Sequence, residues 1–130
     1  MIVVDASALI DVLLGTRAGK QVSARILVPG ESIHAPHLID LEVAQVLRRY
    51  VRTREISAQR GHAAMQDLAA LALVRYPHQL FMSRIWFLRD NLTAYDAAYV
   101  VLAEALATTL LTCDRRMASI ASRWVQVETL

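Results

Sequence analysis

Five short apolar runs alternate along this chain with longer amphipathic stretches, and that alternation leaves few folds open to it. Ile2 to Val4, Ser32 to Ala35, Leu73 to Tyr76, Thr109 to Thr112 and Val125 to Val127 read as strands. Between them, Ala6 to Leu14, Ala18 to Leu27, His37 to Arg52, Ser57 to Ala72, Leu80 to Arg89, Tyr95 to Ala107 and Arg115 to Ala121 read as helices. Gly15 closes the first helix, Pro29-Gly30 the second, and Pro36 and Pro77 end the second and third strands. In the helix from His37, stepping about 100° per residue puts Leu38, Ile39, Val43, Val46, Leu47 and Tyr50 on one broad face. The segment from Tyr95 is apolar almost all round, which predicts a central position. Strands separated by helices need crossover connections, so the expected sheet is parallel and covered on both faces. The expectation is one α/β domain over residues 1–130, three layers deep, with a short central parallel sheet and helices on either side. No repeat, linker or low-complexity tract interrupts it.

Against that frame four acids stand where an ionised group is costly. Asp5 follows Met1-Ile2-Val3-Val4, and Asp114 follows Leu110-Leu111-Thr112-Cys113. Asp96 opens the apolar stretch Ala97 to Ala107, and Glu42 lies at the edge of the apolar face of its helix. Burying an unpaired carboxylate is expensive, and several brought together repel one another unless a cation holds them. In open parallel sheets the functional crevice lies beyond the carboxyl ends of the strands, where Asp5 and Asp114 are expected to project. Asp96, in the first turn of its helix, and Glu42, from the flank of its own, are expected to reach the same edge. Hard oxygen donors of this kind suit Mg²⁺ or Mn²⁺, and the chemistry that fits is phosphodiester hydrolysis.

Each acid also has a plainer reading. Asp5 and Asp114 are good helix N-caps, and Asp96 in a first turn gains about 0.3–1 kcal/mol from the helix dipole. That gain is small beside the cost of burying a charge, and four such acids in one fold favour a site. Asp11, Asp40, Asp67 and Asp90 read as surface or capping acids, and His34 and His37 as structural rather than metal-binding. Gln45, Arg48, Arg49 and Arg52 form a polar stripe on the back of the Glu42 helix, a solvated face by default. Because it begins beside Glu42, Arg49 and Arg52 are candidate contacts for an RNA backbone.

Composition narrows the setting. The chain is 55% hydrophobic, yet no apolar run reaches the ~18 residues of a membrane span. The surplus points to surface covered by another chain, a homodimer or a partner. Nothing at the N-terminus reads as an export signal, so the expected address is cytoplasmic. Cys113 is the only cysteine, which excludes an internal disulfide and a thiolate metal site. All but one of the 14 basic residues are arginine, Lys20 being the exception. Arginine bias suits contact with phosphate, although GC-rich coding produces it too.

The residues resemble a known family, the PIN-domain ribonucleases, and within it the VapC-type toxins of bacterial toxin–antitoxin pairs. The resemblance runs the length of the chain and is strongest at Val3-Val4-Asp5-Ala6-Ser7-Ala8-Leu9, at Asn91-Leu92-Thr93-Ala94-Tyr95-Asp96-Ala97-Ala98-Tyr99, and at Leu110-Leu111-Thr112-Cys113-Asp114-Arg115-Arg116. The Glu42 helix looks like the family's second-acid helix. The resemblance implies a Mg²⁺- or Mn²⁺-dependent endoribonuclease that cuts structured RNA, tRNA or rRNA, and arrests growth. It implies Asp5 and Asp96 as metal ligands, Glu42 as a ligand or an aid to water activation, and Asp114 as the fourth acid. Ser7 and Thr112 resemble the hydroxyl neighbours that orient those acids. Also implied are a homodimer, a VapB-type antitoxin, and promoter DNA bound only through the antitoxin. One departure stands out: many PIN domains place a further acid soon after the fourth, whereas here Arg115 and Arg116 follow. That leaves the number of ions open, and it offers an arginine beside the scissile phosphate.

Competing chemistries fit less well. A receiver-like phosphotransfer site needs a lysine near its aspartate, and Lys20 lies far from any strand end. A haloacid-dehalogenase-like site needs a second Asp two residues after Asp5, where Ser7 stands. A catalytically inactive PIN-like module that binds RNA or a partner is the remaining alternative.

Overall fold

The computed structural model of the chain describes all 130 residues. Its single sheet contains β1 (Ile2–Val4), β2 (Ile33–Pro36), β3 (Leu73–Tyr76), β4 (Leu110–Thr112) and β5 (Val127–Thr129) in the order β3-β2-β1-β4-β5. Every neighbouring pair is parallel, with Val3 opposite both His34 and Leu110. All three residues of β1 and of β4 are buried. Successive strand residues face opposite sides, so both faces of the sheet centre are covered, as the continuous apolar runs predict.

The helices are α1 (Ala6–Leu14), α2 (Arg17–Ile26), α3 (Ile39–Arg52), α4 (Ala58–Ala70), α5 (Met82–Phe87), α6 (Ala94–Ala105) and α7 (Arg115–Ala121). Side-chain caps set most of their starts. Asp5, Thr16, Ser57, Thr93 and Asp114 each accept a backbone N–H from the first turn they precede. Gly15 ends α1 at φ 67°, a left-handed conformation that glycine adopts without penalty. α6 is the central helix: Ala97 to Ala103 are all buried and it packs on β1 and β2. Its full burial is what an almost uniformly apolar sequence requires. No helix is long and apolar enough to cross a membrane.

Several boundaries differ from the sequence reading by one or two residues, and three of the differences have a visible cause. The stretch expected as one helix from Leu80 to Arg89 is a 3₁₀ turn, His78–Phe81, followed by the short α5. The last strand begins at Val127 rather than Val125, because Val125 N–H is taken by the Ala121 carbonyl at the end of α7. Gln126 then lends its carbonyl to Leu110, and pairing with β4 starts one residue later. Finally α2 starts one residue before Ala18, after Thr16, whose hydroxyl oxygen accepts from Gly19 N–H at 2.9 Å.

Candidate active site

β1 and β4 are adjacent although the chain places two strands, β2 and β3, between them. β2 and β3 extend from β1 one way, β4 and β5 the other. The sheet therefore changes winding direction between β1 and β4, and the crevice of an open α/β sheet lies at the carboxyl end of such a point. Asp5 and Asp114 sit there, immediately after β1 and after Cys113 at the end of β4.

Asp5 is only 4% exposed. Its Oδ1 accepts from Ala8 N–H at 2.9 Å and from Ser7 Oγ at 2.8 Å, and its Oδ2 from Thr112 Oγ1 at 2.6 Å. The Ser7 hydroxyl also accepts from Cys113 N–H, and the Thr112 hydroxyl from Asp114 N–H. Ser7 and Thr112 thus tie the loops after β1 and β4 together around one carboxylate. Burial still dominates and holds the Asp5 carboxyl above its ordinary range against these donors, with Asp114 adding to the rise.

Asp114 is exposed and caps α7, accepting from Arg116 and Met117 N–H at 2.8 and 3.0 Å. Asp5 and Asp114 are therefore caps and crevice acids at once; the two readings were never exclusive. Asp96 is half-buried in the first turn of α6. Desolvation raises its carboxyl, Asp114 raises it further, and the guanidinium of Arg116 pulls it down. Glu42, in the first turn of α3, is raised by burial and then by Asp96 and Asp5. The repulsions run from acid to acid around one set, so the fold brings all four into a common field.

No group of three or more His, Cys, Asp or Glu side chains is gathered closely enough to grip an ion as it stands. None of the four takes part in an ion pair; those lie elsewhere, as at Arg75 with Asp40 and Arg84 with Glu104.

The crevice opens into a cleft of about 790 Å³ between α1, α3 and the start of α6. Glu42 and Asp114 line it together with Ser7, Asp11, Arg49 and Tyr95. Gln45 and Arg49 face this cleft, which corrects the sequence placement of their stripe on the back of α3. The reason is that α3 buries only Ile39, Val43 and Leu47, so its Glu42-Gln45-Arg49 flank is free to look into the opening. Arg48, Arg52 and Arg115 are exposed. Asp11 is a half-buried wall residue that accepts from Thr16 Oγ1 at 2.6 Å, not a plain surface acid. His34 is buried between Ser32 Oγ and Tyr76 Oη and His37 is exposed, so the two histidines form no pair. Cys113 lines the cleft with its thiol pushed up to about 12 by burial and Asp11, an unreactive state.

Sequence reasoning missed Tyr99. It is 2% exposed and its hydroxyl donates to Glu42 Oε2. Burial, then Glu42, drives its phenol far above the ordinary range, so it stays a donor. The available signal was a tyrosine in the apolar middle of a central helix, since a buried tyrosine normally finds a partner.

Comparison with known proteins bears on the family and the fold. Residues 2–122 match the PIN domain family. The chain is 45% identical to ribonuclease VapC9 of Mycobacterium tuberculosis over 117 residues, covering 90% of this chain and 88% of that one. It is 48% identical to ribonuclease VapC1 of the same organism over 121 residues, with the same coverage. It is 41% identical to ribonuclease VapC12 over 118 residues, covering 91% and 90%. A crystal structure of PAE2754 from Pyrobaculum aerophilum, 23% identical, superposes with a TM-score of 0.71 over 97% of this chain and 82% of the other, a likeness of fold.

Proposed function

Because the chain belongs to the PIN-domain family, and within it to the VapC ribonucleases, we propose that Asp5, Glu42, Asp96 and Asp114 are the catalytic acids of its endoribonuclease activity. The observation that carries this reading is geometric: Asp5 and Asp114 follow the adjacent strands β1 and β4 at their carboxyl ends. Burial with neighbouring acids (Asp114 for Asp5 and Asp96, Asp96 and Asp5 for Glu42) raises the carboxyls of Asp5, Asp96 and Glu42, with no ion pair to relieve them. An all-oxygen donor set under that strain fits a hard divalent cation, Mg²⁺ or Mn²⁺. Asp5 and Asp96 would hold it, with Glu42 and Asp114 completing the set. Such an ion, when bound, acidifies water and neutralises the phosphate it touches.

The protein's own groups supply the rest. Ser7 and Thr112 fix both oxygens of Asp5, so its orientation does not depend on what is bound. Glu42, half-buried, is placed to take a proton from the attacking water. Arg116, whose charge already reaches Asp96, stands beside the phosphate and balances the charge that develops there, with Arg115 adjacent on α7. Arg49 on the cleft wall and Arg52 one turn on contact the RNA backbone outside the reacting bond.

The VapC kinship implies a VapB-type antitoxin as partner. The finer reading is a cytoplasmic toxin that cuts structured RNA, tRNA or rRNA, and meets promoter DNA only through that antitoxin. It forms a homodimer through the face around α5, where Leu80, Trp86 and Phe87 are 77%, 67% and 66% exposed.

The test is to induce wild type and Asp5→Asn in a bacterial host and map new RNA 5′ ends. Arrest with discrete new ends in wild type alone is expected, and the ends name the target. Equal arrest by both proteins would mean the toxin works by binding, as the inactive-module reading has it.

A further inference from the structure

Two of the four acids sit on helices that are not held by a strand end. α3 carries Glu42 and α6 carries Asp96, so the geometry between these acids depends on how the two helices are fastened. Asp5 and Asp114 have their own clamp in Ser7 and Thr112. Glu42 has one hydrogen-bond donor, the hydroxyl of Tyr99. Tyr99 lies three residues after Asp96, hence on the same side of α6 one turn further on, and its ring is locked in the core.

We propose that Tyr99 is the positioning residue of Glu42: its buried hydroxyl takes Glu42 Oε2, aims Oε1 into the crevice, and so sets the spacing of Glu42 from Asp96 and Asp5. The inference rests on the reading that these acids hold a divalent cation. Glutamate has three rotatable bonds and gives up much of its freedom when ordered, so without a fixed donor it spends that freedom elsewhere. A rigid phenol is a good anchor, since its ring is fixed by packing before the hydroxyl is used. The plainer reading is that Glu42 merely satisfies a buried tyrosine. The two readings part at the cation: a satisfied core hydroxyl has no influence on ion affinity, whereas a positioning hydroxyl does.

Tyr99→Phe removes one oxygen and keeps the ring. The experiment is Mn²⁺ titration by calorimetry of the whole chain without RNA, for wild type, Tyr99→Phe, Glu42→Gln, the double variant and Asp5→Asn. Tyr99→Phe is expected to weaken Mn²⁺ about tenfold, the low end of what orienting partners of metal ligands contribute. In the Glu42→Gln background the same change is expected to add nothing. With RNA, kcat should fall while KM holds. Glu42→Asp keeps the charge but withdraws it by one methylene from the hydroxyl, and it should weaken Mn²⁺ to a similar degree even if Tyr99→Phe does not fold. Wild-type affinity in Tyr99→Phe, or in Glu42→Asp when the former is unfolded, overturns the proposal. If wild type binds Mn²⁺ no better than Asp5→Asn, the metal reading itself falls, and the positioning role falls with it.

Discussion

Asp5 is the residue on which stability and activity pull apart. As the N-cap of α1 it accepts from Ala8 N–H, and it takes two hydroxyl hydrogens besides, yet burial still lifts its carboxyl above the usual range. A buried charge held for function is a standing cost to the fold. Asparagine caps helices as well as aspartate does, and its amide can meet the Ser7 and Thr112 hydroxyls with their hydrogens turned round. Asp5→Asn should therefore be inactive and more stable, by about 1 kcal/mol or a few degrees of Tm in divalent-free buffer. Thermal unfolding in EDTA checks this, and a lower Tm for the variant would mean that the charge is better compensated than its burial suggests. The same residue shows what was legible in the sequence. Its position after an apolar run announced both a cap and a crevice acid, while the three donors that make the two compatible come from Ser7, Ala8 and the distant Thr112.

At the scale of elements α1 and α2 meet backbone to backbone, and one glycine permits it. Gly19 is buried in α2, and a Cβ added there would lie 1.9 Å from the Asp11 carbonyl oxygen. That contact is with backbone, so no side chain can move aside. Gly19→Ala should separate the two helices at a cost of about 2–3 kcal/mol, lowering Tm by roughly 10 °C. Circular dichroism melts suffice, and an unchanged Tm would show that α2 slides freely on α1. Because Asp11 and Ile10 of α1 line the cleft, the same variant should also loosen the wall beside Glu42. Helix existence and order could be read from periodicity here, and cap residues fixed several starts. The α5 region could not: Leu80 to Arg89 is apolar enough for one helix, but the chain leaves Pro77 through a 3₁₀ turn and only six residues are α-helical. Gln45 and Arg49 were likewise misplaced, because periodicity gives the angle of a side chain but not what stands across from it.

At the scale of the whole molecule, the surplus of apolar residues has a location. The chain's mean hydropathy is +0.35, and much of the excess is displayed around α5, where Leu80, Met82, Trp86 and Phe87 are exposed. Arg89 lies over the Trp86 ring and Arg84 over that of Phe87, each 5.0 Å from the centroid, so the aromatic faces are partly screened by cations. If two copies meet here, Trp86→Glu with Phe87→Glu should leave a well-folded chain of 14.5 kDa where wild type sediments at twice that mass. Sedimentation well above micromolar concentration decides it; a monomeric wild type would assign the face to the antitoxin or to nothing. The sequence by itself determined most of the elements and their parallel pairing, and it singled out the four acids proposed for the site, because these follow from local periodicity and from the cost of charge beside apolar runs. Tertiary structure decided the rest: that β1 and β4 are neighbours at the point where the winding reverses, that Arg49 and Asp11 share a cleft with Glu42, and that Tyr99 holds Glu42. Those relations join residues far apart in the chain, and only packing brings their side chains within hydrogen-bonding and Coulomb range.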